Sequence, residues 1–103
     1  MLCALSVRRL KPGAYEDFRR AWEPEEFPEG FTRAYHIRRL DDENEVVSFG
    51  FYEGTFAELE AELEAIRDRQ KEQERQARMA EHVESTLVDG MFEVLDEVTP
   101  PGR

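Results

Sequence analysis

Apolar residues recur in six successive segments of this chain, and the order of their spacings constrains the fold more than any other feature. Four segments alternate apolar and other residues, as strands do, and two have the three-four spacing of amphipathic helices. In chain order they are Leu2–Leu10 (strand), Ala14–Trp22 (helix), Phe31–Leu40 (strand), Val46–Glu53 (strand), a helix from Thr55, and Met91–Val98 (strand). This βαββαβ order predicts a ferredoxin-like α+β fold, in which a four-stranded antiparallel sheet carries both helices on one face.

Each predicted strand has one bulky apolar set of side chains and one small or polar set. In the first strand, for example, Leu5 and Val7 alternate with Ser6 and Arg8. We expect the bulky sets to lie under the helices and the other sets to form a helix-free face. The residues predicted on the helix-free face are Ala4, Ser6, Arg8, Ala34, His36, Arg38, Ser48, Gly50 and Tyr52.

The small residues of that predicted face suggest what covers it. Short side chains such as Ala4, Ala34 and Gly50 let a second sheet approach to the usual separation of about 10 Å. A chain of 103 residues is one domain with a modest core, which association would help to stabilise. The sequence therefore predicts an obligate homodimer of a single domain, residues 1–99, followed by a flexible tail, residues 100–103.

The second helical segment is unusually long. Thr55 and Glu58 form a capping box at its start, and no Gly or Pro interrupts residues 56–89. A continuous helix to about Glu84 would be roughly 45 Å long, which exceeds the length of a strand. We expect the segment to overhang the sheet, to bend near residues 68–74, or to pack on a partner.

Composition narrows the classes of partner. The formal net charge of -10 repels phosphate backbones, so neither nucleic acid nor an anionic membrane is expected as a partner. No stretch approaches the roughly 20 apolar residues of a membrane span, and no signal-peptide pattern precedes the first strand. A cytoplasmic protein is expected. The single cysteine, Cys3, excludes an internal disulfide.

Three segments resemble the dimeric α/β-barrel superfamily, and the antibiotic-biosynthesis-monooxygenase type in particular. They are Lys11-Pro12-Gly13 followed by Tyr15, Phe18 and Trp22; Gly30-Phe31 leading a strand into Asp41-Asp42; and a strand ending Tyr52-Glu53-Gly54-Thr55 before a capped helix. The resemblance implies a dimer whose sheets meet through their helix-free faces, with a pocket in each subunit. It also implies activities such as cofactor-independent, quinone-forming oxygenation or haem degradation, although one fold serves many functions.

Two positions depart from the enzymes of that family. A tryptophan is common where this chain has Tyr52, and an asparagine is found near the position of Ser6. Two hypotheses therefore stay open. The first is a cofactor-independent monooxygenase-like enzyme acting on an aromatic or polyketide-like small molecule. The alternative is a non-catalytic dimeric ligand-binding or structural protein of the same fold.

The candidate site follows from the polar set of the strands. His36 is the candidate base, because histidine exchanges protons near neutral pH, and Tyr52 is the candidate stacking or proton-donating group. Ser6, Arg8, Arg38 and Ser48 are candidate substrate-binding residues, with the arginines suited to an acidic group. The alternative for all of them is a polar lining or intersubunit contact. We expect these side chains to share one pocket on the helix-free face.

No cofactor or metal is expected. The sequence contains neither an HExxH nor a CxxC motif, and no second histidine is near His82. Haem-degrading relatives place an iron ligand late in the second helix, where this chain has His82. The spacing does not align with theirs, so haem is not expected either.

Overall fold

One four-stranded antiparallel sheet forms the frame of the molecule in a computed structural model that describes residues 1–102. The elements are β1 (Leu2–Leu10), α1 (Tyr15–Trp22), β2 (Phe31–Arg39), β3 (Asp42–Tyr52), α2 (Phe56–Ile66), α3 (Arg69–Ala80) and β4 (Val83–Glu93). The strand order across the sheet is β2-β3-β1-β4. This is the order of a ferredoxin-like fold, so the predicted fold class is confirmed.

The last strand begins earlier than the sequence pattern predicts. β4 covers Val83–Glu93 rather than Met91–Val98, and it pairs with β1. Asp89 and Gly90 resemble a turn signal, yet they lie inside the strand, opposite Ser6 and Leu5. The prediction was wrong because β1 offers a complete edge for pairing, which outweighs the low strand propensity of an Asp-Gly pair.

The long helical segment is divided in two. Arg67 and Asp68 have extended backbones that separate α2 from α3, and the Asp68 carboxylate accepts a hydrogen bond from the Lys71 amide at 3.1 Å. The alternative of a bend near residues 68–74 therefore describes the structure, while a continuous helix does not. A side-chain cap stabilises a new helix start, and this explains how α3 begins without a glycine or proline before it.

Glycine is required at two of the turns that position the helices. Gly13 precedes α1 with a φ of +73°, a conformation that side chains with a Cβ rarely adopt. Gly30 precedes β2, where an added Cβ would lie 2.7 Å from the Glu53 carbonyl oxygen. The Gly30 amide also donates to the Glu62 carboxylate at 2.9 Å, which ties this turn to α2.

The structure reverses the predicted assignment of the sheet faces. The core cluster joins Leu10 and Val46 of the sheet to Phe18 of α1 and Met79 of α3. In β1, Leu10 belongs to the same alternating set as Ser6 and Arg8. The small and polar sets therefore lie under the helices. The prediction was wrong because the large aromatic side chains come from α1, and they leave room only for small or polar groups beneath them.

The bulky sets form the opposite, helix-free face. Tyr35 stacks on Phe49 with ring centroids 5.3 Å apart, and Phe49 meets Phe51 edge-on. Tyr35 and Ile37 are 47% and 50% exposed. This side of the sheet is therefore a largely apolar surface in a single chain. Within residues 1–102, no helix is both long and apolar enough to cross a membrane.

Phe18 provides a test of this packing. Its side chain is completely buried, whereas Phe56 is 50% exposed. We expect Phe18→Ala to lower the free energy of unfolding by about 3–5 kcal/mol, because it leaves a cavity beneath α1. Phe56→Ala should cost about 1 kcal/mol, since half of its ring is already in water. Urea denaturation measures both values, and equal losses would contradict the described core.

Candidate functional site

Four polar side chains form a row across the sheet, one from each strand. Ser6 of β1 pairs with Asp89 of β4 on one side and with Ser48 of β3 on the other. Ser48 in turn pairs with His36 of β2. Directly paired residues project from the same face of a sheet. All four side chains therefore lie on the face that carries the helices, and both serines are buried.

Each end of this row contains one hydrogen bond. The Ser6 hydroxyl donates to the Asp89 carboxylate at 2.9 Å. The Ser48 hydroxyl and His36 Nδ1 are 2.7 Å apart. Donor and acceptor at this second contact depend on the tautomer of the imidazole. The row thus runs from Asp89, which is exposed at the edge strand, to a histidine under α1.

Aromatic side chains from α1 enclose His36. The imidazole lies edge-on to Trp22, with ring centroids 4.6 Å apart, and Phe18 and Tyr15 follow at 6.1 and 6.3 Å. These three residues recur at the three-four spacing that places them on one side of the helix. The histidine is therefore held in an apolar cage and not in open water.

This environment keeps His36 neutral. Burial lowers the pKa of its imidazole to about 4, and the nearby positive charges of Arg19 and Arg8 act in the same direction. Glu23 opposes these effects only in part. A histidine with this pKa is uncharged at neutral pH, so it has one protonated and one unprotonated ring nitrogen.

Arg8 lies beside His36 on the same face. Its guanidinium lies 5.4 Å from the centre of the Phe18 ring. Burial lowers the pKa of Arg8, while the charge of Asp89 raises it and that of Arg75 lowers it. The cation stays protonated, because arginine does not lose its proton in proteins.

Two polar atoms of this site lack partners. Arg8 Nη1 and His36 Nε2 are shielded from solvent, and neither has a hydrogen-bond partner among residues 1–102. An unsatisfied buried polar group costs roughly 1–3 kcal/mol, so such atoms mark a place where a ligand or water is favoured. The Arg8 guanidinium, which donates, and the neutral His36 imidazole can together bind an oxygen atom that carries or gains negative charge.

The other predicted site residues lie at a distance from His36. Arg38 is exposed, and its guanidinium lies over the Tyr15 ring at 5.3 Å. Tyr52 is four residues from Ser48 along β3, which corresponds to about 13 Å at 3.3 Å per residue. The structure therefore brings Ser6, Arg8, Ser48 and His36 together. It places Arg38 and Tyr52 on the same face, towards opposite ends of the strands.

A line of aromatic rings connects the two ends of this face. Trp22 lies 6.4 Å from Phe27, Phe27 stacks on Phe31 at 4.3 Å, and Phe31 lies 5.6 Å from Tyr52. Burial raises the pKa of the Tyr52 phenol, so this group is a proton donor at neutral pH. The result is an aromatic strip between sheet and helices, with His36 at one end and Tyr52 at the other.

Two surface cavities adjoin this region. One, of about 410 Å³, lies between the loop after α1 and the start of α3, where Glu23, Arg67 and Arg75 are among its lining residues. The other, of about 250 Å³, is lined in part by Tyr15 and Arg38. His36 lines neither of them. A ligand in either cavity is therefore separated from the imidazole.

Sequence reasoning missed three residues of this site. Asp89 resembled part of a turn, Trp22 resembled a core aromatic, and the pattern did not single out Arg75. Arg75 donates from Nε to the Trp22 carbonyl at 2.7 Å and from Nη1 to Glu72 at 2.8 Å. Correct placement of β4 is the signal that would have revealed Asp89, because its register then falls opposite Ser6.

No metal centre is evident in the described part of the chain. Residues 1–102 contain no group of three or more His, Cys, Asp or Glu side chains arranged to hold a metal ion. His82 lies at the junction of α3 and β4, where its carbonyl oxygen accepts a hydrogen bond from the Lys11 amide at 3.0 Å.

The architecture defines a ferredoxin-like α+β protein, and solved structures share this fold. A candidate antibiotic biosynthesis monooxygenase from Chloroflexus aurantiacus superposes with a TM-score of 0.68 at 10% identity, covering 95% of this chain and 96% of that one. Similar proteins from Bordetella bronchiseptica and Nitrosomonas europaea give TM-scores of 0.66 and 0.65, at 12% and 17% identity. They cover 91% and 93% of this chain, and 96% and 100% of their own.

These comparisons confirm the predicted resemblance at the level of the fold. At such low identity, the shared fold carries no residue roles with it. No protein-family model matches the sequence, and a search of curated proteins gives no significant match. Any account of the chemistry therefore depends on the site geometry described above.

The pKa of His36 has a measurable consequence for stability. Between its ordinary pKa of 6.5 and about 4, the unfolded chain binds a proton that the folded chain excludes. Stability must therefore fall as the pH decreases through this window. The loss from this group is up to about 3 kcal/mol, at about 1.36 kcal/mol per pKa unit.

We expect this loss to disappear in His36→Phe, which cannot titrate. Urea denaturation of the wild type and of His36→Phe from pH 7 to pH 4 measures the contribution of His36. The carboxylates contribute equally to both proteins and cancel in the comparison. Parallel stability profiles for the two chains would contradict a neutral, buried His36.

Proposed function

We propose that the protein is a dimeric, cofactor-independent oxygenase that acts on hydroxylated aromatic small molecules of polyketide-like type. The observation that carries this proposal is the pair of unpartnered buried atoms, His36 Nε2 and Arg8 Nη1, under an aromatic cage. The structural neighbours named as candidate antibiotic biosynthesis monooxygenases support the reaction type. The alternative is a non-catalytic protein of the same fold.

The pair suits the first step of such a reaction. A phenol or an acidic ring CH₂ group gives its proton to the neutral imidazole of His36, and the Arg8 guanidinium stabilises the resulting anion. Dioxygen then oxidises the anion at the CH₂ carbon or, for a phenol, at the ring carbon opposite the hydroxyl. One oxygen atom becomes the new carbonyl oxygen, and the other leaves as water. The two hydrogens of that water come from the CH₂ group or, for a phenol, from the hydroxyl and the oxidised ring carbon, so no external reductant is needed.

The remaining residues suit an elongated aromatic ligand. Trp22, Phe27 and Phe31 offer ring faces along the strip between His36 and Tyr52. A polycyclic ligand that replaces part of this stacking reaches Tyr52, which then stacks or donates a proton at the far end. Ser48 holds the imidazole through Nδ1. Arg38 lies over the Tyr15 ring at the edge of the site, where it would bind an acidic substituent of the ligand.

Oxygen uptake tests the catalytic role. With polycyclic phenols and anthrone-like compounds as probes, we expect the wild-type chain to consume one dioxygen per quinone formed. His36→Gln should reduce kcat by about 10²–10⁴-fold, the usual contribution of a positioned base. Arg38→Gln is the matched control at the margin of the site, and it should change KM more than kcat.

Two results would contradict the enzymatic proposal. One is an absence of oxygen uptake with every probe that binds. The other is an activity that His36→Gln leaves unchanged. Binding without turnover, detected by quenching of the single tryptophan, would instead support the non-catalytic alternative. That alternative is favoured by one observation: three aromatic rings already surround His36, and neither cavity described above reaches it.

The dimer part of the proposal depends on the helix-free face. Its apolar side chains include Tyr35 and Ile37, about half exposed, and the clustered rings of Phe49 and Phe51. Monomeric proteins rarely leave a broad apolar patch in water. A second copy presents the same surface, and a two-fold axis lets one such face cover the other.

A charge introduced into this face should prevent association. We expect light scattering to give the mass of two chains for the wild type and of one chain for Ile37→Asp, because a dimer would bury the new carboxylate without a partner. Leu40→Asp is the control, since Leu40 is fully exposed at the β2–β3 turn. A single-chain mass for the wild type at micromolar concentration would contradict the dimer.

A further inference from the structure

Arg75 of α3 is a cation held in place at the end of α1. Its side chain is only 15% exposed. Nε donates to the Trp22 carbonyl oxygen at 2.7 Å, and Nη1 donates to the Glu72 carboxylate at 2.8 Å. Two hydrogen bonds from one planar guanidinium fix both its position and its orientation. Arg75 therefore joins α3 to α1 through a contact of defined geometry.

The Trp22 carbonyl is a group that needs such a partner. Trp22 is the last residue of α1, and Glu23 after it has an extended backbone. The last carbonyl groups of a helix have no partner within it, and a cation at that end also interacts favourably with the helix dipole. The Arg75 guanidinium lies 5.9 Å from the centre of the Trp22 ring as well, within range of a cation–π interaction. It thus contacts both the backbone and the ring of this residue.

Trp22 is in turn the ring of the cage that lies nearest to His36. Their ring centroids are 4.6 Å apart, compared with 6.1 Å for Phe18 and 6.3 Å for Tyr15. The indole therefore shields the imidazole, and a side chain of α3 holds that indole.

The charge of Arg75 does not itself act on the imidazole. Burial lowers the pKa of His36, and the charges that add to this effect or oppose it are those of Arg19, Arg8 and Glu23. Any influence of Arg75 on His36 must therefore pass through Trp22, which determines how well the imidazole is shielded.

We propose that Arg75 is a positioning residue that caps the C-terminal end of α1 and thereby holds the Trp22 ring against His36, which keeps water away from the imidazole. This inference rests on the proposed function, because it concerns the residue assigned there as the base. Arg75 also lines the cavity of about 410 Å³, whereas His36 does not. A ligand in that cavity therefore meets the residue that holds the cage in place.

Titration of the imidazole by NMR tests this role without any need for turnover. In the wild type, the pKa of His36 should be about 4. Arg75→Met keeps an apolar side chain beside Trp22 but cannot bond its carbonyl. We expect the pKa of His36 to rise in this variant by about one unit or more, because a less firmly held indole admits water. The matched control is Arg78→Met, which removes the same charge from an exposed position of α3 at the same cavity. It should leave the pKa of His36 unchanged.

A measurement on the wild type keeps the test valid if Arg75→Met does not fold. A hydrogen bond from a charged donor should slow hydrogen exchange at Arg75 Nε by at least about tenfold relative to Arg78 Nε in the same chain. Equal exchange rates at these two positions would overturn the proposal.

The titrations decide the rest. A rise in the pKa of His36 with Arg75→Met and none with Arg78→Met supports the positioning role. An unchanged pKa in Arg75→Met overturns it, and so does an equal rise in both variants, which would show a general effect of charge. Oxygen uptake is measured separately, so a shifted pKa without turnover contradicts the proposed function and leaves the role of Arg75 intact.

Discussion

The packing of the α1 aromatic side chains onto the polar side of the sheet is the contact on which the rest of the structure depends. Phe18 is completely buried between α1 and the sheet, where it contacts Arg8 and His36. Because α1 supplies the bulk, the strands beneath it need small or polar side chains. The same packing encloses the imidazole, lowers its pKa and removes Arg8 from water.

The two faces of the sheet carry different kinds of side chain as a result of this packing. The face under the helices holds His36, Arg8 and Asp89, and the helix-free face holds most of the large apolar side chains of the strands. Successive side chains of a strand point to opposite faces, so one strand can present polar residues on one face and apolar residues on the other. The candidate site and the proposed dimer surface therefore lie on opposite sides of one sheet.

The sequence was sufficient for the fold and for the grouping of the site residues, but it did not reveal on which side they lie. The spacing of Tyr15, Phe18 and Trp22 predicted α1, and alternation grouped Ser6, Ser48 and His36. The rule that bulky residues face the helices failed, because α1 itself supplies the large aromatic side chains and leaves room only for small or polar ones beneath them. Asp89 was missed because local turn propensity gives no information on pairing with a distant strand.

The central claim is that His36 lies under α1 and not on the helix-free face. Proton NOEs between the His36 and Trp22 rings test it most directly, since the ring centroids are 4.6 Å apart. The account predicts strong cross-peaks between the imidazole and indole protons of one chain. Their absence, with cross-peaks from His36 to Phe49 or to a partner subunit instead, would contradict the assignment of the faces and the site built upon it.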